Sequence, residues 1–544
     1  MGIVKNDIIP LEITNCDLNG NGIGRYNDLA VFVNGAAAGD RLNAHILKVK
    51  SNCAFARIDS ITVPSADRID ALCPVNLKCG GCSFGHINYK AEAGIKENHV
   101  RECFMRIGGI EPEFEPIITD GKIYRYRNKA QFPVEISGSE IKTGFYASRT
   151  HRVIHCPGCI LQAEEFEGIL GVFEEYIKQT AITSYDEKSH RGLLRHIYLR
   201  KGTATGEIMV CPVINGDSLP REELLAEMLT EKSDSVKSVV ININKEKTNV
   251  ILGKRCRTVY GKGYITDKLC GLEFRISPLS FYQVNRNQAE KLYLKATEYA
   301  GLTGSENLLD LYCGTGTIGL TMARKAKHLT GIEIVPQAVS DAKINAEING
   351  IHNAEFICSD AAEAAKRLRD EKRLPDVIIF DPPRKGCSAE MIKTAAEMRP
   401  DRMVYISCDP ATLARDCKIF DSLGYKTVKA TPVDMFPRTG HVETVVLLVK
   451  LPPDDTINIK MDLSEFPVSI HDGDATYPEI KAYVQKKFGI KVSTLYISQI
   501  KRKHGLPVTD AYNKPKSADF RQPQCPPEKE KAITDALKHF KMID

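Results

Sequence analysis

Leu308-Leu309-Asp310-Leu311-Tyr312-Cys313-Gly314-Thr315-Gly316-Thr317-Ile318-Gly319 is the stretch that decides the fold of this 544-residue chain. Its first four residues read as a short buried strand, the glycine-rich segment as a tight turn, and the apolar residues beyond as the start of a helix. Strand, glycine turn and helix in that order make the ligand-cradling corner of a doubly wound sheet. Taken literally, Gly314, Gly316 and Gly319 match a dinucleotide fingerprint, with Glu333 at the end of the next strand to accept ribose hydroxyls. An Asp one residue before the strand's end, then an aromatic, suits S-adenosylmethionine better than nicotinamide. Asp360, after the third strand, is then placed to face the adenine.

Outward from this corner the pattern alternates βα. Apolar strands are predicted at Leu308–Leu311, Leu329–Ile334, Val377–Phe380 and Met403–Ile406. The carboxyl ends of such strands face the ligand crevice, so the residues that follow them carry the chemistry. Asp381-Pro382-Pro383-Arg384 follows one strand, its prolines stiffening the turn that holds Asp381. Arg384 stands where an amino-methylating enzyme would place an aromatic. Ser407-Cys408-Asp409-Pro410 follows the next, and helix-terminal amides are expected to lower the Cys408 thiol toward a thiolate. Carbon 5 of a pyrimidine is a poor nucleophile until a thiolate adds at carbon 6, and a base must later remove the carbon 5 proton. Glu443, ahead of the apolar run Val445–Leu448, is the candidate base, with His441 second.

Five segments then occur in one order: Ser280-Phe281-Tyr282-Gln283-Val284-Asn285, the Asp310–Gly316 turn, Asp381-Pro382-Pro383-Arg384, Ser407-Cys408-Asp409-Pro410 and His441-Val442-Glu443-Thr444. Together they resemble the RNA uracil-carbon-5 methyltransferases, specifically the bacterial 23S ribosomal RNA branch with an iron–sulfur cluster. The resemblance covers residues 1 to about 450. It implies Cys408 as nucleophile, Glu443 as base, and contacts to cofactor or target base from Gln283, Tyr312, Glu333 and Asp381. It also implies an N-terminal TRAM domain. Transfer RNA stays open as substrate, a cytosine methyltransferase suits the Cys408 setting poorly, and a non-catalytic iron–sulfur RNA-binding protein is the reading from another class.

Cys73, Cys79 and Cys82 are spaced as metal ligands, and Cys156-Pro157-Gly158-Cys159 offers a fourth thiol. Spacing alone leaves a zinc site and a cluster both open. The resemblance implies a 4Fe-4S cluster and, through the slot filled by Thr150-His151, points to Cys159 as the fourth ligand.

Hydrophobic residues make up 43% and charged residues 26% of the chain, ordinary for a globular protein. No apolar run is long enough for a bilayer, so a cytoplasmic protein without membrane contact is expected, as a monomer, and its 17 cysteines are read as free thiols and ligands. Short β-prone runs at Ile8–Ile13, Leu29–Val33, Ala44–Val49 and Ala54–Ile58, punctuated at Asn19-Gly20-Asn21-Gly22, predict a small barrel. Tyr124-Arg125-Tyr126-Arg127-Asn128-Lys129 interleaves rings and cations as RNA-gripping surfaces do, and Arg191, Arg195 and Arg200-Lys201 add a basic stretch. Residues 476–544 hold 14 Lys+Arg against 7 Asp+Glu, in a pattern of two short helices. The expectation is therefore a multidomain α/β protein: a TRAM-like, OB-like barrel that binds RNA over 1–62, an iron–sulfur and central α+β domain over 63–270, a doubly wound Rossmann-like methyltransferase domain over 271–452, and a basic helical C-terminal extension over 453–544.

Overall fold

A computed structural model describes residues 3–148, 150–452, 477–506, 525–540 and 542–543. By sequence, Pro452-Pro453-Asp454-Asp455 reads as a linker and Thr476-Tyr477-Pro478-Glu479 as a helix-capping box; residues 453–455 of the first and Thr476 of the second lie outside the described residues. The chain divides into two compact units, Met1–Thr456 and Ile457–Asp544.

In the first unit, β1 (Ile8–Cys16), β2 (Asn21–Tyr26), β3 (Leu29–Asn34), β4 (Arg41–Val49) and β5 (Cys53–Val63) close into a barrel ordered β1-β2-β3-β5-β4. Alternation along β1 and β4 sends Ile9, Leu11, Ile13, Leu42, Ala44 and Ile46 inward against Val31, Val33, Ala54 and Ala56. The segment read as punctuation is half turn and half strand, because Gly20 (φ 75°) ends the turn and Asn21 begins β2. Gly22 serves inside that strand because a Cβ there would stand 2.7 Å from Ile13 and Ala36.

Helix α1 (Tyr89–Cys103), capped by the Asn88 side chain, runs through a π-helical turn at Phe104–Gly108 to a two-residue strand, β6 (Glu113–Phe114). A seven-stranded sheet follows, made of β7 (Lys129–Ser137), β8 (Glu140–Tyr146), β9 (Val153–His155), β10 (Leu194–Lys201), β11 (Ile208–Ile214), β12 (Val236–Ile243) and β13 (Arg255–Gly261), in the order β13-β12-β11-β10-β7-β8-β9. Phe166, Leu170 and Phe173 of α2 (Glu165–Thr180) and Leu225 and Leu229 of α3 (Glu222–Lys232) share a core with it. A hairpin, β14 (Ile265–Leu269) and β15 (Leu272–Ile276), leads to α4 (Arg286–Ala300).

The alternating region then unfolds as β16 (Asn307–Leu311), α5 (Thr317–Ala323), β17 (His328–Glu333), α6 (Pro336–Ile348), β18 (Ala354–Cys358), α7 (Ala361–Asp370), β19 (Val377–Phe380), α8 (Ala389–Glu397), β20 (Arg402–Ser407) and α9 (Pro410–Ser422). An antiparallel hairpin, β21 (Tyr425–Val433) and β22 (Glu443–Lys450), completes a sheet ordered β18-β17-β16-β19-β20-β22-β21-β6. The four strands expected here lie within one residue of β16, β17, β19 and β20. Alternation explains their doubly buried, all-apolar character: Leu308, Val377, Ile379, Val404 and Ile406 pack on one face, and Leu309, Ile378, Phe380, Met403 and Tyr405 on the other. The expected boundaries are crossed three times, first by β5, which runs past residue 62 to Val63. β6 leaves the 63–270 region to pair with β21, and the β14–β15 hairpin straddles residue 270. A two-residue strand carries no periodic signal of its own.

In the second unit, α10 (Tyr477–Phe488) ends at Gly489 (φ 69°), and α11 (Thr494–Lys503) is capped by Ser493. A third helix, α12 (Pro527–His539), completes a core of Ile480, Val484, Ile497, Ile500, Ile533 and Leu537.

Candidate active site

Strand order reverses between β16 and β19, so their carboxyl ends open a crevice at the topological switch point. Every site residue expected from the parallel strands stands along that edge: Glu333 ends β17, Tyr312 follows β16, Asp381 follows β19, and Cys408 follows β20. β22 runs the other way and begins with Glu443. Ser407 pairs with Thr444 in the register, which brings Cys408 and Glu443 to neighbouring positions.

At the β16 end, Tyr312 (φ 68°), Gly314 (φ 55°) and Gly316 (φ 80°) all take the left-handed region, coiling the turn tightly. The space above Gly314 is open, and a Cβ there would meet nothing within 4 Å. Glu333 is fixed beside it, its carboxylate accepting the N–H of Gly314 (3.1 Å) and Val335 (2.8 Å). The buried Asp310 accepts the Gly319 N–H at 2.9 Å, while its other oxygen has no protein partner. Burial, with the Asp381 and Glu333 carboxylates nearby, pushes Asp310 up to about 8 against the pull of the Gly319 amide. Gly319 has no room to grow: a Cβ would stand 2.7 Å from Asp310 Oδ2 and 3.0 Å from Leu329. Gly319→Ala should therefore cost about 1–3 kcal/mol and weaken S-adenosylmethionine binding, measurable by urea unfolding and calorimetric titration. Asp360, expected to face the adenine, has one oxygen engaged in capping α7 through the N–H of Ala362 and Glu363.

At the β20 end the expected lowering of the Cys408 thiol does not occur. Asp409 is the N-cap of α9 and accepts the Ala411 and Thr412 N–H groups, so its carboxylate answers the helix terminus. Burial first, then the neighbouring Glu443 carboxylate, raise Cys408 to about 11, with Arg384 pulling the other way. Glu443 is itself raised to about 8 by burial and the Asp381 charge, and again Arg384 opposes. Burial raises Asp381 to about 7. His441 is exposed, its ring 5.9 Å from that of Phe436.

Gln283 is held from the central sheet. The Asn128 side chain donates to the Gln283 carbonyl at 3.0 Å, the Asn128 N–H to Val284 O at 2.9 Å, and the Arg200 guanidinium to the carbonyls of Ser280 (2.6 Å) and Tyr282 (3.1 Å). Arg200 and Arg195, expected on a basic surface, are buried. Arg195 binds the carbonyls of Asn244, Glu246 and Thr248 instead. Arg125 likewise donates to Cys159 O and Gln162 O. These guanidiniums satisfy loop carbonyls, a long-range role that no local pattern announces. Around Arg127 a basic cavity of about 250 Å³ remains, lined also by Lys122, Lys201 and Arg286.

Cys73, Cys79, Cys82, Cys156 and Cys159 all line one cavity of about 70 Å³, with Val75, Phe145, Ile160 and Leu161. The Cys156 thiol beside it lowers Cys159 from the ordinary thiol range against the pull of burial, and the Arg127 charge acts in the same direction. Burial and the other thiolates raise Cys82 to about 12. Among the described residues, no group of three or more His, Cys, Asp or Glu side chains is gathered to hold a single metal ion.

The family model for tRNA (Uracil-5-)-methyltransferase matches residues 224–451, and that for the TRAM domain matches residues 5–58. An uncharacterized RNA methyltransferase of Clostridium tetani is 42% identical over 82% of this chain and 97% of its own length. One from Halalkalibacterium halodurans is 43% identical, again over 82% of this chain and 97% of its own. The chain belongs to the RNA uracil-5-methyltransferase family. Among solved structures, the Pyrococcus abyssi tRNA (uracil-54, C5)-methyltransferase in complex with S-adenosyl-L-homocysteine is 28% identical, with a TM-score of 0.65 over 81% of this chain and 99% of that one. The protein is thus an S-adenosylmethionine-dependent RNA methyltransferase with an N-terminal TRAM barrel and a Rossmann-like catalytic fold. Asn128 and Arg200, expected among RNA-facing cations and rings, instead hold the Gln283 segment. The sequence reading noted Arg384 only for what it excludes, although Arg384 is the cation acting on both Cys408 and Glu443.

Proposed function

We propose that the protein methylates carbon 5 of a uridine in RNA, foremost 23S ribosomal RNA, through a covalent adduct with Cys408 that Glu443 resolves. The observation that carries this reading is the meeting of Cys408 and Glu443 across β20 and β22, beside Asp381 and at the mouth of the glycine turn. S-adenosylmethionine supplies the methyl group. The open space over Gly314, the anchored Glu333 carboxylate and the unpartnered Asp310 oxygen fit it, and Gln283, Tyr312, Glu333 and Asp381 would hold cofactor and base.

The target uridine leaves its stack to enter the crevice. Cys408 Sγ, as thiolate, bonds to carbon 6, and the electron pair of the ring double bond moves to carbon 5, which bonds to the methyl carbon as the methyl–sulfonium bond breaks and its electron pair stays on sulfur, leaving a neutral thioether. Glu443 then takes the proton from carbon 5. The pair from that C–H bond restores the double bond as the carbon–sulfur bond breaks and the thiolate returns. Arg384 favours the ionised form of both groups. Arg127, Lys129 and the cavity cations suit RNA phosphates; burial together with Arg200 and Arg127 lowers Lys129 to about 8, a cation crowd that an anion would relieve.

Transfer RNA is the second reading, favoured by the name of the matched family and the substrate of the Pyrococcus abyssi relative. Mapping 5-methyluridine by mass spectrometry in ribosomal and transfer RNA of a deletion strain decides between them. Loss from neither RNA would overturn both. We read the enzyme as a cytoplasmic monomer; among the described residues no helix is long and apolar enough to cross a membrane.

We further assign Cys73, Cys79, Cys82 and Cys159 as ligands of a 4Fe-4S cluster. Thiols that line a cavity rather than crowd one point, and the Arg127 charge beside Cys82 and Cys159, fit such a group. When bound, it would tie the Cys73–Cys82 loop to the β9–α2 connection. Anaerobic purification should yield about four irons per chain, and Cys82→Ser should lose them. Stoichiometric zinc without iron would reject the assignment.

A further inference from the structure

Glu443 stands at the foot of the loop Asp434–Val442, opposite Val433 in the β21–β22 register. Distant parts of the chain grip this loop. From α1, Lys96 Nζ donates to Asp434 Oδ1 (2.8 Å) and Phe436 O (3.2 Å), the Tyr89 hydroxyl donates to Asp434 Oδ2 (2.9 Å), and Glu92 accepts the Arg438 N–H (2.6 Å). Lys96 also binds Glu92 at 2.8 Å. From the segment after Cys82, the N–H groups of Ser83 and Phe84 donate to Arg438 O at 2.8 and 3.2 Å, and the Arg438 guanidinium returns bonds to Phe84 O and Ile87 O. Tyr126 binds Pro437 O and Asn285 binds Met435 O. In the barrel, Leu18 O lies so close to Gly440 that a Cβ there would stand 1.8 Å from it.

Lys96, Glu92 and Asp434 are wholly buried, Arg438 is 3% exposed, and Arg438 holds a left-handed backbone (φ 69°). A buried ionic network is a poor source of stability, since well-packed apolar residues commonly do as well. What it supplies is direction: charged partners accept one geometry, while apolar packing tolerates several. A residue forced to positive φ and locked there by such partners belongs with the strained, over-determined positions that cluster at functional sites.

We propose that Glu92, Lys96, Asp434 and Arg438 form a positioning network for Glu443, fixing the loop so that the carboxylate reaches the carbon 5 proton of the adduct. The inference rests on Glu443 being the base. Cys408 lies on the separate β20–α9 turn, held by Asp409, so the network governs release of the adduct and leaves its formation untouched.

The test uses the full chain with unmodified uridine RNA and S-adenosylmethionine, resolved on denaturing gels. The double variant Glu92→Gln/Lys96→Met, and separately Tyr89→Phe, should accumulate a methylated protein–RNA adduct, with turnover falling on the order of 10- to 100-fold for the double variant. Initial trapping on 5-fluorouridine RNA should stay at the wild-type rate. Amides of 435–442 should exchange with deuterium faster while those of β20 do not. Wild-type turnover without adduct, or parallel loss of trapping and turnover, would overturn the proposal. If the double variant does not fold, Tyr89→Phe decides by the same readouts. If Glu443→Gln itself accumulates no adduct, the base assignment fails; if it does and the network variants do not, only the network fails.

Discussion

Cys408→Ala should abolish methylation, with kcat falling on the order of 10⁴-fold or more, and should leave no covalent species on 5-fluorouridine RNA. The fluorine blocks proton removal, so the wild-type enzyme stops as a stable adduct that survives denaturation. The alanine variant has no thiolate to add at carbon 6, and without that addition carbon 5 has no electron pair to offer. RNA and cofactor binding should persist, because Cys408 contributes a small side chain to a crevice built from other segments. Trapping by the variant at the wild-type level would reject Cys408 as nucleophile, and the other 16 cysteines would then be screened. The raised thiol, at about 11, adds a pH signature: the rate of trapping should climb with pH across the neutral range.

Glu443→Gln should slow turnover about 10²- to 10⁴-fold and reverse the balance of species. The adduct forms and receives its methyl group, but no base resolves it, so methylated protein–RNA complex accumulates on natural uridine. Wild-type release should rise as pH climbs toward about 8, where Glu443 becomes ionised, and level off beyond. The same carboxyl has a stability consequence. Burial raises it from 4.5 to about 8, so its neutral form is favoured by folding. That contribution is fully present below pH 4.5 and is lost as pH rises through 8. Gln cannot ionise and escapes the loss, so the variant should be about 1–3 kcal/mol more stable than wild type at pH 9 and indistinguishable from it at pH 4. Equal stability at both pH values would show that Glu443 is not held neutral.

The doubly wound architecture was readable because its signals are local. The β16 strand, its glycine turn and the strands that follow are continuous runs of a few residues, and both faces of each are buried, so composition alone marks them. β2 was missed because its glycines look like turn residues until the opposing Ile13 and Ala36 explain why no side chain fits. Arg195 and Arg200 were misassigned to the surface because a sequence shows a cation but not the carbonyls it will meet.

By itself the sequence determined the alternation of strands and helices from β16 to α9, the turn chemistry of Gly314–Gly319, and which residues arrive at the carboxyl ends of β16, β17, β19 and β20. Those follow from nearest-neighbour sterics and the burial of apolar runs. Only the tertiary structure decided that Cys408 rests as a thiol, since burial, Glu443 and the Asp409 cap act together there. It also decided that five cysteines share one cavity, and that Lys96 locks onto Asp434, 338 positions away. Charge and burial act through space, and their partners are set by the packed chain.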